Sequence, residues 1–189
     1  NTSLLKKCDA LLVWNALINK DVIDHLEKCK VIVRYGVGYD AIDLISLKKA
    51  SIELYNTPDY GTEEVADTAV AMILAFQRSV FEYDNIARSS NKSWVTNVYK
   101  PLSRTNKLTA GIIGVGRIGS AVINRLKPFG FLIQGYDPYQ PSGHEKAIGY
   151  KRCEELKDLL STSDIISIHS PLTEETKGMI DNEFIASLK

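Results

Sequence analysis

The sequence lacks the features that mark secreted, membrane-spanning and nucleic-acid-binding proteins. It has three cysteines, Cys8, Cys29 and Cys153, which are odd in number, widely spaced and outside any Cys-x-x-Cys or Cys/His metal pattern. Such a set is not typical of a disulfide framework or a metal site, and it predicts reduced thiols in a cytoplasmic protein. No apolar run approaches the length of a transmembrane helix, so we expect no membrane partner.

The charge is balanced, with 23 Lys plus Arg against 23 Asp plus Glu. Because there is no broad positive field, we expect no nucleic-acid partner. The 189 residues are 44% hydrophobic, which is enough to bury a substantial core. The chain opens at Asn1 without a methionine or a signal-peptide core, and this start predicts a chain cut from a longer protein.

The most informative stretch is a glycine-rich turn between an apolar strand and a helix. Residues Thr109–Ile113 predict a buried strand, and the apolar spacing that follows predicts a helix face packed on it. The predicted face consists of Ile118, Val122, Leu126 and Phe129. A Gly-x-Gly-x-x-Gly motif in this context is typical of a dinucleotide-binding turn.

Each glycine of the motif has its own predicted reason. Gly114 permits the tight turn, Gly116 lets a pyrophosphate approach the backbone, and Gly119 lets the helix pack close to the sheet. The helix beginning near Arg117 and Ile118 offers unpaired N–H groups and a positive dipole end to phosphates. We therefore predict that all five residues contact a cofactor.

An acidic residue ends the next strand, about 20 residues further on. This residue, Asp137, can accept hydrogen bonds from the ribose hydroxyls and would repel a 2′-phosphate. The following residues 138–140 bring no cation that would offset the repulsion. The sequence therefore predicts NAD rather than NADP as cofactor, the alternative being a solvated carboxylate at a strand end.

The pattern of the whole chain predicts an α/β protein in two lobes, residues 1–60 and 61–189. The first lobe alternates strands and helices as in a parallel sheet. Its predicted strands are 10–14, 31–34 and 52–55, and its predicted helices are 20–28 and 42–49.

The second lobe is predicted to open with a long helix over 63–88, which has one apolar face and is followed by a loop over 89–107 that contains Trp94. The predicted apolar face consists of Val65, Ala69, Met72, Ile73 and Phe76. Beyond Asp137 the sequence predicts a loop over 138–144, a helix over 154–160, a strand over 165–169 and a last helix from 181 or 182 to 188. A doubly wound fold would return to a further strand, so we expect this Rossmann-type sheet to be C-terminally incomplete.

Several blocks occur in one order between about Leu11 and Lys189. They are Val33–Asp40, Asn56–Pro58, Glu63–Thr68, the glycine motif with Tyr136–Pro138, and Ser163–Thr173 with Thr176. Together they resemble the D-isomer-specific 2-hydroxyacid dehydrogenases, a family that includes phosphoglycerate dehydrogenase and the C-terminal-binding-protein co-repressors. The run Tyr60–Asp67 is most similar to the co-repressor-like branch and its bacterial dehydrogenase relatives.

The resemblance implies that residues 1–60 are the N-terminal part of a flavodoxin-like substrate domain. Residues 61–189 would be the NAD-binding Rossmann domain with its leading hinge helix. It also implies that Arg34, Gly36, Val37 and Gly38 bind the substrate carboxylate, with Val37 near the nicotinamide end of the cofactor. By itself the Gly-Val-Gly run fits an anion-binding loop and a simple turn equally well, and an arginine at a strand end is most often solvated or paired.

The resemblance places His169, Ser170, Pro171 and Thr176 at the cofactor, beside the adenosine and pyrophosphate. This is a binding role and not proton transfer. By position alone, His169 is as consistent with a hydrogen-bonded core histidine as with a cofactor contact. We assign no role to His25 or His144.

The family's catalytic arginine, and its histidine supported by a carboxylate, match no residue of this chain. We therefore predict a fragment of an NAD-dependent oxidoreductase that interconverts 2-hydroxy and 2-oxo acids, inactive as it stands, with no catalytic residue and no metal site of its own. The alternative is an NAD-sensing, co-repressor-like binding and dimerisation module. The resemblance also implies a homodimer through the nucleotide-binding lobe, to which the long helix and its Trp94 loop are suited, although packing between the lobes explains them equally well.

Overall fold

The computed structural model describes residues 2–89 and 102–189, which form two compact α/β units. One unit comprises the described residues up to Gly61 together with Leu172–Glu174. The other comprises the described residues of Thr62–Pro171 and Glu175–Lys189. The predicted α/β architecture is confirmed.

The first unit contains a parallel sheet in the order β1-β2-β3. Its elements are α1 (Thr2–Leu5), β1 (Ala10–Val13), α2 (Lys20–Ile23), β2 (Val31–Arg34), α3 (Leu44–Ala50) and β3 (Glu53–Asn56). Asn19 and Asp43 begin α2 and α3 by accepting hydrogen bonds from backbone N–H groups in the first turn. The core of this unit is centred on the fully buried Ile32 of the middle strand.

The second unit contains a four-stranded parallel sheet in the order β6-β5-β4-β7. Its helices are α4 (Thr62–Gln77), α5 (Val80–Ser89), α6 (Arg117–Leu126), α7 (His144–Ile148), α8 (Leu156–Thr162) and α9 (Asn182–Ala186). Its strands are β4 (Thr109–Ile113), β5 (Leu132–Tyr136), β6 (Lys151–Arg152) and β7 (Ile165–Ile168), and short 3₁₀ helices cover Thr105–Lys107 and Lys127–Phe129. The chain order reverses beside β4, so the carboxyl ends of β4 and β7 meet at the switch point where α/β sheets bind their ligands.

Helices cover both faces of this second sheet. Buried residues of α4 and α6, including Ala69, Ile73, Val122 and Leu126, form one core with β4. On the opposite face, buried residues of α8 and α9 form another core. Both faces are therefore covered, as expected for a doubly wound sheet.

The prediction of one long helix over 63–88 is wrong. The structure has α4 and α5, separated at Arg78 and Ser79, and Ser79 adopts a left-handed conformation with φ 50°. The predicted apolar face is also partly wrong, because Ala66 and Val70 are buried while Val65, Met72 and Phe76 are 47%, 60% and 80% exposed. Alanines face the core here because α6 packs closely against this side, and the larger side chains are turned outward.

Smaller predictions also need correction. Phe129 is 47% exposed and lies in a 3₁₀ turn, so it does not extend the buried face of α6. Helix α7 begins at His144, where the sequence predicted only a loop, and β6 is an additional short strand. Several predicted helices are shorter in the structure, among them α2, which ends at Ile23. Most of the predicted loop over 89–107, including Trp94, lies outside the described residues.

Within residues 2–89 and 102–189, no helix combines the length and apolar character that crossing a membrane would require.

Candidate functional site

The first glycine of the motif occupies a position that no other residue could take without strain. Gly114 follows β4 with φ +83°, and its N–H donates to the carbonyl of Tyr136 at 2.9 Å. A Cβ added here would lie 2.6 Å from the backbone nitrogen of Ser170. Gly114 therefore lets the turn pass directly against the chain that leaves β7.

The other two glycines differ in what surrounds them. A Cβ on Gly116 would meet no heavy atom within 4 Å, so the backbone there faces open space. A Cβ on Gly119 would lie 2.0 Å from the carbonyl oxygen of Gly114 and 3.3 Å from Cγ2 of Ile112. Gly119 thus seats α6 on the turn, while Gly116 leaves room for a ligand against the backbone.

The N-terminus of α6 presents donors toward that open space. Ser120 is the first residue to donate within the helix, to the carbonyl of Gly116 at 2.9 Å. The N–H groups of Arg117, Ile118 and Gly119 precede it, and Gly116 has no side chain that could cap them. A ten-residue helix with such a beginning favours an anion at this end.

The carboxylate of Asp137 is directed at the glycine turn. Its Oδ2 accepts hydrogen bonds from the backbone N–H of Val115 at 2.9 Å and from Nε2 of Gln140 at 3.3 Å. Its Oδ1 accepts one from the N–H of Tyr139 at 3.0 Å. Because each carboxylate oxygen can accept more than one hydrogen bond, Oδ1 still has capacity for a ligand hydroxyl. Holding the turn through the buried Val115 is a second role of Asp137 that the sequence did not reveal.

The end of β7 lies against the same turn. The N–H of His169 donates to the carbonyl of Ile113 at 2.7 Å, and the backbone of Ser170 is the part of the chain that approaches Gly114. The Thr176 hydroxyl donates to the carbonyl of Pro171 at 2.6 Å, so Thr176 fixes the loop that follows β7. Nε2 of His169 lies 2.9 Å from the Ser167 hydroxyl, which gives the ring an internal partner.

Burial lowers the pKa of His169, and this makes a pH prediction possible. The pKa of an unfolded histidine is about 6.5. Because the pKa of His169 is lower in the folded state, the unfolded state binds the proton more strongly. The contribution of the neutral ring to the free energy of unfolding is therefore complete above the unfolded pKa and is lost as the pH falls toward the folded pKa. We expect the free energy of unfolding to fall less between about pH 7.5 and 5.5 in His169→Asn than in the unmodified protein. Parallel profiles in denaturant titrations would contradict this.

In the first unit, the predicted substrate loop follows β2. Nη1 of Arg34 donates to the carbonyl of Tyr35 at 3.2 Å. A Cβ added to Gly36 would lie only 1.0 Å from the same nitrogen, so the guanidinium fills the space above this glycine. The arginine is therefore folded over its own loop rather than extended into solvent. Nδ2 of Asn56 donates to the carbonyl of Val37 at 2.8 Å. The Asn-Thr-Pro block thus supports the loop, a link that its position in the sequence did not reveal.

A cavity of about 190 Å³ lies beside this loop, within the same unit. Arg34 and Gly38 line it together with Trp14, Tyr39 and Asp40, which the sequence analysis had not predicted as binding residues. Trp14 immediately follows β1, and it is 70% exposed. The end of β1 and the loop after β2 meet here because both strands run in the same direction.

Comparison with known proteins agrees with this geometry. Residues 70–189 match the family model described as "D-isomer specific 2-hydroxyacid dehydrogenase, NAD binding domain". The chain belongs to this family. It therefore contains the family's NAD-binding domain, and the predicted cofactor, NAD, is confirmed at this level.

Named relatives extend over nearly the whole chain. The chain is 36% identical to a D-3-phosphoglycerate dehydrogenase of Methanocaldococcus jannaschii, covering 98% of this chain and 35% of the relative. It is 37% identical to a glyoxylate reductase of Korarchaeum cryptofilum, covering 98% and 56%. The crystal structure of a D-lactate dehydrogenase from Aquifex aeolicus, complexed with NAD and lactic acid, matches with a TM-score of 0.92 and 32% identity, covering 100% and 56%. The chain thus spans between about a third and a little over half of these relatives' lengths.

Proposed function

We propose that this chain binds NAD within an oxidoreductase that interconverts D-2-hydroxy acids and 2-oxo acids by hydride transfer. The observation that carries the proposal is the Asp137 carboxylate bonded to the N–H of Val115, beside the open backbone at Gly116. These residues fit a dinucleotide, since the site offers N–H groups, space and an acceptor for sugar hydroxyls. The named relatives, a glyoxylate reductase and a D-lactate dehydrogenase, support the substrate class.

Within this proposal, each part of the site has its own task. The N–H groups of Arg117, Ile118 and Gly119 receive the pyrophosphate, and Asp137 accepts hydrogen bonds from the ribose diol. Ser170, with His169 and Pro171 on the same chain segment, lies beside the adenosine and pyrophosphate. Bound NAD supplies the hydride-exchanging C4 of its nicotinamide ring.

We assign substrate binding to the loop after β2. The backbone N–H groups around Gly36, Val37 and Gly38 would receive the substrate carboxylate, as consecutive donors in a glycine-containing loop can do for an anion. Arg34 adds positive charge on this loop, and Asn56 holds the backbone in place. Val37 is 39% exposed, and in this proposal it is the residue of the loop that approaches the nicotinamide.

We assign the proton transfer to none of these residues. The ring of His169 has Ser167 as its partner, and burial lowers its pKa, so that it remains neutral at physiological pH and serves as a positioning residue. An acid–base histidine must instead reach the reacting oxygen of the substrate. Turnover is accordingly proposed for a protein of the relatives' full length, and dinucleotide binding for this chain.

Gly116→Ala tests the cofactor site. The added methyl group meets no protein atom within 4 Å, so the fold is expected to persist. It occupies the space proposed for the pyrophosphate, and we expect the affinity for NAD to fall by about tenfold or more, roughly 1.4 kcal/mol. Isothermal titration calorimetry with NAD measures the change.

A matched control is Gly61→Ala, the same substitution at a glycine whose added Cβ also meets no heavy atom within 4 Å and whose φ is not positive. Its affinity for NAD is expected to equal that of the unmodified protein. If all three proteins bound NAD with equal affinity, the pyrophosphate would not lie at this turn, and the proposed function would be contradicted.

The alternative, an NAD-sensing module that forms dimers, is favoured by the apolar residues that α4 and α5 leave exposed. Met72, Phe76 and Phe81 are 60%, 80% and 65% exposed, an uncommon arrangement unless another surface covers it. We propose a homodimer through this surface in either case. Sedimentation with and without NAD separates the two functions, because dimerisation that requires NAD favours sensing, whereas a constitutive dimer favours the enzyme.

We further propose a cytoplasmic location, since Cys8, Cys29 and Cys153 are all free thiols.

A further inference from the structure

Two cysteines that are far apart in sequence lie opposite each other in the first unit. The parallel register of β1 on β2 pairs Ala10 with Val31, an offset of 31 − 10 = 21 positions. The N–H of Lys30 donates to the carbonyl of Asp9 at 2.9 Å, which continues the same offset one residue beyond the strands. Cys8 and Cys29 keep this offset one position further on, just before the paired strands begin.

The thiols of these two residues are neighbours. Cys29 is 7% exposed in the core of this unit, and Cys8 is half-buried and packs against that core. The Cys8 thiol donates to the carbonyl of Leu5 at 3.1 Å and the Cys29 thiol to that of Val31 at 3.3 Å. Burial, and after it the nearby Cys8 thiol, raises the pKa of Cys29. Adjacent strands lie about 4.8 Å apart, and the Cα atoms of disulfides lie about 4.4–6.8 Å apart. A bond between the two sulfurs therefore requires little movement of the backbone.

We infer that Cys8 and Cys29 form a reversible disulfide when the protein meets a peroxide, closing the chain between β1 and β2 into a loop. The pair is recognised by geometry and not by a sequence motif. Cys153 lies in a core cluster of the other unit that contains neither Cys8 nor Cys29, so its thiol is expected to stay reduced and serves as an internal control.

The unequal burial of the two thiols sets the order of the steps. The half-buried Cys8 sulfur attacks the O–O bond of hydrogen peroxide, forming a sulfenic acid and releasing one water. The Cys29 sulfur then attacks the Cys8 sulfur, the S–O bond breaks, and the departing hydroxide takes the Cys29 proton and leaves as a second water. Two thiols thus lose two protons and two electrons, and the peroxide is reduced to two waters. A dithiol reductant reverses the bond by thiol–disulfide exchange.

The position of the bond predicts its effect. It would link the starts of β1 and β2, whereas the loop of Arg34–Gly38 follows the opposite end of β2. We therefore expect oxidation to raise the thermal midpoint of the protein by constraining the unfolded chain, without changing its affinity for NAD.

The test is peroxide titration of the intact native protein, followed by alkylation of the remaining thiols and peptide mapping without reductant. The expected product links Cys8 to Cys29, with the free thiols falling from three to one per chain, and a dithiol restores all three. Cys153→Ser should still form the link, whereas Cys29→Ser and Cys8→Ser should not. If Cys29→Ser fails to fold, Cys8→Ser alone decides.

Two results would overturn the inference. One is oxidation of Cys8 to sulfinic acid while Cys29 can still be alkylated after unfolding. The other is a link between two copies of Cys8 as the main product. Both would leave the proposed NAD site untouched, because that site contains no cysteine.

Discussion

Gly119→Ala is expected to lower the free energy of unfolding by about 3 kcal/mol, the upper part of the usual range for overpacking. The added methyl group would lie 2.0 Å from the carbonyl oxygen of Gly114 and 3.3 Å from Ile112. The first of these atoms is backbone in a tight turn, so it cannot rotate away as a side-chain end could. Helix α6 must therefore shift, and the turn that depends on it shifts as well. Urea denaturation followed by circular dichroism measures the loss.

Gly116→Ala is the control for this prediction, since it makes the same change three residues earlier, where a Cβ meets nothing within 4 Å. It should unfold at nearly the urea concentration of the unmodified protein. Equal stability of Gly119→Ala and Gly116→Ala would mean that α6 does not rest on the turn as the structure shows. Cofactor affinity is expected to fall in both variants, but for different reasons.

Asp137→Asn is expected to narrow the preference for NAD over NADP by about tenfold or more. The substitution keeps the size of the side chain and an oxygen that can still accept from the N–H of Val115, so the turn should persist. It removes the charge that repels a 2′-phosphate, and two unit charges about 4 Å apart at an effective dielectric constant of 20 repel by about 4 kcal/mol. Each 1.4 kcal/mol corresponds to about tenfold in affinity. Calorimetric titration with NAD and with NADP gives the ratio of the two affinities.

Glu64→Gln provides a charge-matched control, because it removes one negative charge from the exposed surface of α4. Its ratio of affinities should remain that of the unmodified protein. The assignment of Asp137 to the ribose would be lost if Asp137→Asn and Glu64→Gln gave the same ratio.

The glycine turn between β4 and α6 shows how far local sequence determines structure. Gly114 and Gly119 could be given reasons in advance because a turn between a strand and a helix places steric demands on fixed positions. The pairing of the Asp137 carboxylate with Val115 could not be predicted, because it depends on how β5 ends relative to β4. The contact between His169 and Ser167 is local by comparison, because residues two apart along a strand lie on the same face.

The helices α4 and α5 show what apolar spacing alone does not predict. Apolar spacing predicted a helix beginning near Glu63, but it did not predict the break at Ser79 or the outward position of Phe76. Spacing identifies an apolar face, but not which of two apolar faces will meet the core. Here the smaller side chains of α4 pack against α6, and the larger ones remain exposed.

By itself, the sequence determined the parallel α/β class, the tight glycine turn between β4 and α6, and the family resemblance that comparison then confirmed, and it predicted NAD through Asp137. These features arise from short-range sterics and from residue types at fixed spacing. Only the tertiary structure decided that the Asp137 carboxylate accepts from the N–H of Val115, that Asn56 donates to the carbonyl of Val37, and that Cys8 packs against the core that contains Cys29. Such contacts depend on strand register, which brings together residues that no local pattern connects.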